Sequence, residues 1–182
     1  LGDIGLNPSL RATGDLEAAL DRATFVLSVS PAQHVRSVMA EAAKYMRADA
    51  IVVGASKGIE TGTLQTMAQV HAEVLPKGVA ERTCFLSGPS FALEVAQGMP
   101  TAVTIASHDA KAAERAQLVF QTPDFRCYTS TDVIGVELGG ALKNVIAVAT
   151  GMVVGLGLGH NTTAALMTRG LAEITRLGVE LG

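Results

Sequence analysis

The sequence has few charged residues, and its basic residues do not cluster. Charged side chains make up 17% of the 182 residues, and the formal net charge is −3. Proteins that bind nucleic acids present a concentrated basic surface, so we expect no nucleic-acid partner. The hydrophobic share of 48% and the mean hydropathy of +0.34 are instead typical of a chain that folds around a buried core. The length suffices for one domain, or for one domain and part of a second.

Metal-ligand and disulfide patterns are also missing. The chain has four histidines and two cysteines, which lie far apart in the sequence: His34, His71, His108, His160, Cys84 and Cys127. None of them has the short spacing by which metal sites are recognised, so we predict no metal site. Two cysteines without a motif suit a reducing compartment, and we expect a cytoplasmic protein.

The sequence also shows no secretion signal and no complete membrane span. The first eight residues lack the basic and apolar regions of a signal peptide. The uncharged run Val145–Gly159 has 15 residues and includes four glycines, whereas a bilayer requires about 20. We therefore expect a buried segment there and no membrane span.

Short apolar runs alternate with amphipathic helical segments over the first two thirds of the chain. Strands are predicted at 25–30, 51–55, 83–87 and 102–106, and a short one at 125–128. This alternation favours an α/β fold with a doubly wound parallel sheet and helices on both faces. From Asp132, a residue suited to cap a helix, the pattern changes to long helices. We therefore divide the chain into a sheet domain, 1–128, and the start of an all-helical domain, 129–182.

Polar residues follow three of the predicted strands at their carboxyl ends. These stretches are Ser30–Pro31, Ser56–Gly58 and Ser87–Ser90. In a parallel sheet the carboxyl ends of the strands lie at one edge, where ligands bind. A binding cleft at this edge is one interpretation, and ordinary polar turns between strands and helices are the other.

A lysine and an asparagine, Lys143 and Asn144, interrupt the apolar run of the first long helix. An ammonium group buried in apolar surroundings is costly unless it is paired, and a chemical function is the usual reason to retain it. Gly139 and Gly140 precede the lysine by four and three residues on the same helix face and leave space beside it. The alternative is a close helix crossing in which Lys143 extends to solvent.

Five segments of the chain together are characteristic of one enzyme family. They are Ser56–Glu60, Ser87–Glu94, Gly98–Ala102, Val136–Ala147 and Thr168–Glu173. In order and spacing they resemble the NAD(P)-dependent glycerol-3-phosphate dehydrogenases of the bacterial type, over essentially the whole chain. The resemblance implies a Rossmann-like sheet that is incomplete at its N-terminus, and NAD or NADP as cofactor. It implies the interconversion of sn-glycerol 3-phosphate and dihydroxyacetone phosphate, for glycerophospholipid precursors, and it allows a homodimer.

The resemblance also implies a role for each matched position. Lys143 corresponds to the proton acceptor for the C2 hydroxyl, and Asn144 to an asparagine that supports the active site. Lys57 corresponds to a lysine near both cofactor and substrate, and Gly88 and Ser90 to substrate contacts. The implied cofactor contacts are Ser30, Pro31, Lys57 and Ala92.

Two parts of the family pattern have no counterpart in the sequence. The Gly-rich phosphate turn of the family's first strand and helix is absent, and Gly155–Gly159 does not replace it because it follows a helix. The Arg-Asn pair that the family places on the substrate phosphate would lie beyond Gly182. We therefore expect the 182-residue segment alone to be inactive.

Two other functions remain open. One is a related dehydrogenase that acts on another small hydroxy acid or phosphate. The other is a non-catalytic module in which the apolar helices of residues 132–182 form an oligomer interface. Lys143 and Asn144 favour the enzyme, because the core of an interface is depleted in lysine.

Overall fold

The described residues form a five-stranded sheet followed by two long helices. The computed structural model describes residues 4, 5 and 7–182, so residues 1–3 and 6 of the predicted sheet domain lie outside the described residues. The elements are α1 (Leu16–Leu20), β1 (Phe25–Ser28), α2 (Ala32–Ala42), β2 (Ile51–Gly54), α3 (Met67–Val74), α4 (Lys77–Ala80), β3 (Cys84–Ser87), α5 (Ala92–Ala96), β4 (Thr101–Ala106), α6 (Ala110–Phe120), β5 (Phe125–Ser130), α7 (Val133–Gly155) and α8 (Gly159–Leu181). All the predicted strands are present, with ends within two residues of the prediction.

The strands are ordered β1-β2-β3-β4-β5 within the described part of the chain, and the pairs β1–β2, β2–β3 and β4–β5 are parallel. β3 and β4 are antiparallel, with Leu86 opposite Ile105, so the prediction of parallel pairing is wrong at β4. The reason lies in the connection. A parallel crossover must return the chain along the full length of a strand, and α5 has only five residues, which rise about 7 Å.

Helices cover both faces of the sheet, as predicted. On one face α2 and α3 contribute Val35 and Val70 to a cluster with Val52 of β2. On the other face α6 contributes Ala112 to a second cluster, with Ile105 of β4. The change of face follows from the reversed direction of β4. Connections between parallel strands are right-handed, so when the strand direction reverses while the sheet is extended in the same direction, the connecting helix lies on the opposite face.

α7 begins directly after the sheet. The carboxylate of Asp132 accepts a hydrogen bond from the backbone N–H of Gly135 at 2.7 Å, which confirms Asp132 as the N-cap. Such a cap contributes about 1 kcal/mol. Val133 in the first turn is buried in the same cluster as α2 and α3, and this contact fixes the start of α7 against the sheet. The domain boundary at residue 128 stays a prediction.

α7 and α8 pack against each other in antiparallel directions. Gly178 lies opposite Leu138, and Gly170 lies opposite Ile146. α8 begins at Gly159, after the short break of residues 156–158. Large apolar side chains of both helices are exposed, among them Val145, Val148, Met152, Val154, Met167, Leu171 and Val179. Met167 and Leu171 are exposed because no described element packs over that face of α8.

One helix of the described residues, α7, is long and apolar enough to cross a membrane when only length and composition are considered. Its most apolar window has a mean hydropathy of 1.5. The core helices of water-soluble proteins satisfy the same criterion, so this observation is weak evidence for a span. The absence of a membrane span stays a prediction.

Candidate functional site

A cleft of about 530 Å³ opens between the carboxyl edge of the sheet and the N-terminal half of α7. Lys57, on the loop after β2, lines one side together with Gly88 and Ser90, which follow β3. Lys143 of α7 lines the cleft as well. The fold thus brings together four predicted site residues that lie on three separate segments of the chain.

Lys57 lies between the sheet edge and α7. Its Nζ donates a hydrogen bond to the carbonyl oxygen of Gly88 at 3.2 Å. Partial burial, with the positive charge of Lys143 as a second cause, lowers the pKa of Lys57 from its ordinary value of 10.5. At a given pH, a larger fraction of Lys57 is therefore neutral than of a lysine with the ordinary pKa.

The two adjacent glycines of α7 have different surroundings. A Cβ atom on Gly140 would lie 2.7 Å from Oγ of Ser87 and 3.5 Å from Cγ of Lys57. Glycine at this position therefore lets α7 approach β3 and the stem of Lys57. A Cβ atom on Gly139 would meet nothing within 4 Å. The free space expected beside Lys143 is thus found at Gly139, whereas Gly140 is a close packing contact.

Lys143 is exposed, which agrees with the interpretation in which the lysine extends to solvent and not with a buried ammonium group. The physical reason is that the middle of α7, from Lys143 to Val145, is not covered by another described element. Its Nζ donates a hydrogen bond to Oδ1 of Asn144 at 3.1 Å. An exposed amine at the rim of the cleft can exchange protons both with a bound molecule and with water.

Gly88 forms the turn between β3 and the segment that carries Ser90. Its φ of +146° lies in the region that favours glycine. A Cβ atom would lie 2.9 Å from the carbonyl oxygen of Ala102 and from Cα of Val103, so the turn lies directly against β4. Oγ of Ser90 donates a long hydrogen bond of 3.4 Å to the carbonyl oxygen of Gly88. This one carbonyl therefore orients both Ser90 and Lys57.

The other predicted positions do not line the cleft. The carbonyl oxygen of Ser30 accepts a hydrogen bond from Oγ of Ser56 at 2.6 Å, which joins Ser30–Pro31 to the residue before Lys57 at the same sheet edge. Ala92 is exposed at the start of α5, and Asn144 is exposed on α7. Their assignment to cofactor or substrate binding stays a prediction.

Two further lining residues, Phe91 and Thr104, were not singled out from the sequence. Thr104 lies in the middle of β4 opposite Ser87, and a threonine in the middle of a strand gives no sequence signal of a site. Phe91 is 69% exposed. An aromatic residue directly after the polar turn of Ser87–Ser90 was a signal that could have indicated a ligand contact.

Two family models match the chain. The model described as the N-terminus of NAD-dependent glycerol-3-phosphate dehydrogenase matches residues 1–113, and the model of the C-terminus of the same enzyme matches residues 132–182.

Individual relatives give the same result. A glycerol-3-phosphate dehydrogenase (NAD(P)+) of Geobacter sulfurreducens is 57% identical over 182 residues, which are 100% of this chain and 54% of the relative. The crystal structure of glycerol-3-phosphate dehydrogenase from Coxiella burnetii superposes with a TM-score of 0.90 at 35% identity, over 100% of this chain and 55% of that one. The structure of the glycerol-3-phosphate dehydrogenase from Saccharomyces cerevisiae superposes with a TM-score of 0.85 at 30% identity, over 98% of this chain and 52% of that one. The chain spans about half the length of these relatives.

Proposed function

We propose that the chain is part of an enzyme that interconverts sn-glycerol 3-phosphate and dihydroxyacetone phosphate with NAD or NADP. The chain belongs to the NAD-dependent glycerol-3-phosphate dehydrogenase family. The observation that carries this proposal is the convergence of Lys57, Ser90 and Lys143 on one cleft at the sheet edge. Oxidation of a secondary alcohol requires a base for the hydroxyl proton and an acceptor for the hydride. The two amines supply candidates for the base and for the stabilisation of charge on the oxygen.

The residues of the sheet edge fit a dinucleotide. The carboxyl ends of β1, β2 and β3 lie side by side, the arrangement at which open α/β sheets bind nucleotides. A Cβ atom on Gly58 would lie 3.0 Å from Cβ of Ala32, so glycine lets the loop after β2 lie close to the start of α2. The residues that would hold the cofactor are Ser30, Pro31, Lys57 and Ala92. When bound, the oxidised nicotinamide supplies the acceptor for the hydride of C2.

Lys143 is the proton acceptor in the proposed mechanism. As the hydride leaves C2, the electrons of the O–H bond form the carbonyl bond, and the proton passes to the amine of Lys143. The ammonium group of Lys57 attracts the oxygen while negative charge develops on it, and the hydroxyl of Ser90 orients the substrate. In the reverse direction the protonated Lys143 donates its proton to the ketone oxygen of dihydroxyacetone phosphate.

The proposal extends to the cellular setting of the enzyme. We assign it to the cytoplasm and to the synthesis of glycerophospholipid precursors. Two unpaired, buried cysteines, Cys84 and Cys127, are compatible with a reducing compartment. A homodimer is part of this proposal, and the exposed apolar side chains of α7 and α8 are compatible with it. The gap between the two family models, at residues 114–131, is compatible with a domain boundary at 128.

A chimeric enzyme tests the proposal. Residues 1–182 replace the corresponding part of the Geobacter sulfurreducens relative, and the purified chimera is assayed for oxidation of NADH or NADPH with dihydroxyacetone phosphate. We expect oxidation that depends on this substrate and that Lys143→Ala reduces strongly. The intact relative serves as the control.

Two results would overturn the proposal. Activity with another small keto acid or phosphate, but not with dihydroxyacetone phosphate, would favour a related dehydrogenase. A folded chimera without activity on any of these substrates would favour the non-catalytic module.

A further inference from the structure

Glu137 is an acidic residue in an otherwise apolar part of α7, and the mechanism above does not use it. Its Oε2 accepts a hydrogen bond of 2.7 Å from the backbone N–H of Ala68, 69 residues earlier in the chain. Ala68 lies in the first turn of α3, whose N-cap is Thr66. The hydroxyl of Thr66 lies close enough to the same carboxylate to lower its pKa. A side chain of α7 therefore binds the N-terminal end of α3.

This contact combines a favourable interaction with a cost. The first N–H groups of a helix have no partner within the helix and carry partial positive charge, so a carboxylate is stabilising there. Burial raises the pKa of Glu137, and the hydrogen bond from Ala68 and the nearby hydroxyl of Thr66 act in the opposite direction. An apolar side chain would fill this position without the loss of hydration. A carboxylate at this position therefore indicates that the orientation of α3 relative to α7 matters in addition to packing.

α3 starts at the end of the loop that carries Lys57. Residues 55–66 connect β2 to α3, and Ile59 pairs with Thr66 through an isolated antiparallel bridge. The backbone N–H of Glu60 also donates to the carbonyl oxygen of Gln65 at 2.9 Å. These contacts join the middle of the loop to the end that precedes α3. Because Lys57 precedes Ile59 by two residues, a fixed Thr66 also restrains the backbone next to Lys57.

α7 contacts this loop at a second point. Gly140 follows Glu137 by about one helical turn, and the stem of Lys57 packs against it, with Cγ 3.5 Å from the position of a Cβ atom. Lys143 follows Gly140 by about one further turn on the same helix. The carboxylate of Glu137 and the surface of Gly140 thus locate the loop relative to the helix that carries the proposed base.

We infer that Glu137 is a positioning residue, which fastens the loop of residues 55–66 to α7 and thereby sets the location of the Lys57 amine relative to Lys143. The effect on catalysis rests on the proposed function, whereas the effect on Lys57 does not. A misplacement of about 1 Å at a reacting centre lowers a rate by about 10²-fold, so a loosened loop lowers kcat.

The first experiment requires no enzymatic activity. Lysines of the 182-residue chain are labelled with acetic anhydride over a range of pH, and Lys57 is compared by mass spectrometry with Lys77, whose side chain is 91% exposed. In Glu137→Leu, the midpoint of labelling at Lys57 is expected to move to higher pH, towards that of Lys77. Glu137→Gln retains an acceptor for Ala68 and is expected to keep the wild-type midpoint. Glu137→Met also lacks the acceptor and should shift the midpoint in the same direction as Glu137→Leu.

The labelling result can overturn the inference in two ways. An unchanged midpoint at Lys57 in a folded Glu137→Leu protein would show that other contacts position the loop. A shift as large in Glu137→Gln as in Glu137→Leu would show that the hydrogen bond to Ala68 is not the cause. If Glu137→Leu does not fold by circular dichroism, Glu137→Met decides, and an unchanged midpoint in that variant overturns the inference.

The second experiment uses the chimera. Glu137→Leu is expected to lower kcat about 10²-fold with a nearly unchanged KM for the cofactor, and Glu137→Gln is expected to retain most of the activity. Glu180→Ala, on the exposed end of α8, is the matched control and should leave both constants unchanged. Full kcat in Glu137→Leu would overturn the catalytic consequence. An inactive parent chimera would refute the proposed function and leave the labelling result to decide the role of Glu137.

Discussion

Alanine at the two adjacent glycines of α7 is expected to have opposite effects on stability. Alanine is favoured over glycine inside a helix by about 0.5–1 kcal/mol, and Gly139→Ala should gain this, since its Cβ atom meets nothing within 4 Å. Gly140→Ala places a Cβ atom 2.7 Å from Oγ of Ser87, so that Ser87 or α7 must move. Overpacking of this kind costs about 1–3 kcal/mol. The net effect of Gly140→Ala is therefore a loss of up to about 2.5 kcal/mol.

Urea denaturation of the 182-residue chain measures this difference. Far-UV circular dichroism is the suitable signal, because the chain has no tryptophan. Ser87→Ala in the Gly140→Ala background identifies the cause of the lost stability. Removal of the Ser87 hydroxyl removes its contact with the new Cβ atom, so the double variant should show the stabilisation that alanine gives a helix relative to glycine. Equal stability of the two single variants, or no recovery in the double variant, would refute the close approach of β3 as the reason for glycine at 140.

The two lysines of the cleft give the remaining predictions. In the chimera, Lys143→Ala should lower kcat about 10²–10⁴-fold with little change in cofactor binding. Lys143→Arg should not restore activity, because a guanidinium group does not release its proton in this pH range; near-normal turnover in Lys143→Ala would contradict its role as the base. Lys57→Met should stabilise the fold at neutral pH, because the lowered pKa of Lys57 means that folding disfavours its charged form. This stabilisation should disappear as the pH rises through the lowered pKa towards the ordinary value of 10.5. If urea denaturation shows the same stabilisation by Lys57→Met at every pH, the lowered pKa of Lys57 would be refuted.

The sequence by itself determined the elements and the parts of the chain that meet at the sheet edge. Apolar runs that end at polar turns become strands, because the local pattern of apolar residues decides which segments can be buried in a sheet. Asp132 caps α7 through a bond to its own first turn, which is a local contact. The meeting of Lys57 and Ser90 is also predictable, since the carboxyl ends of neighbouring parallel strands share one edge.

Only the tertiary structure decided the direction of β4, the exposure of Lys143 and the contacts of Gly140 and Glu137. The direction of β4 depends on whether its connection can return along the sheet, and the residues of the strand do not encode this. Lys143 is exposed because no described element covers the middle of α7. Gly140 and Glu137 contact Ser87 and Ala68, which are distant in sequence. The periodicity of a helix shows which face is apolar, but it is the same whichever element packs against that face.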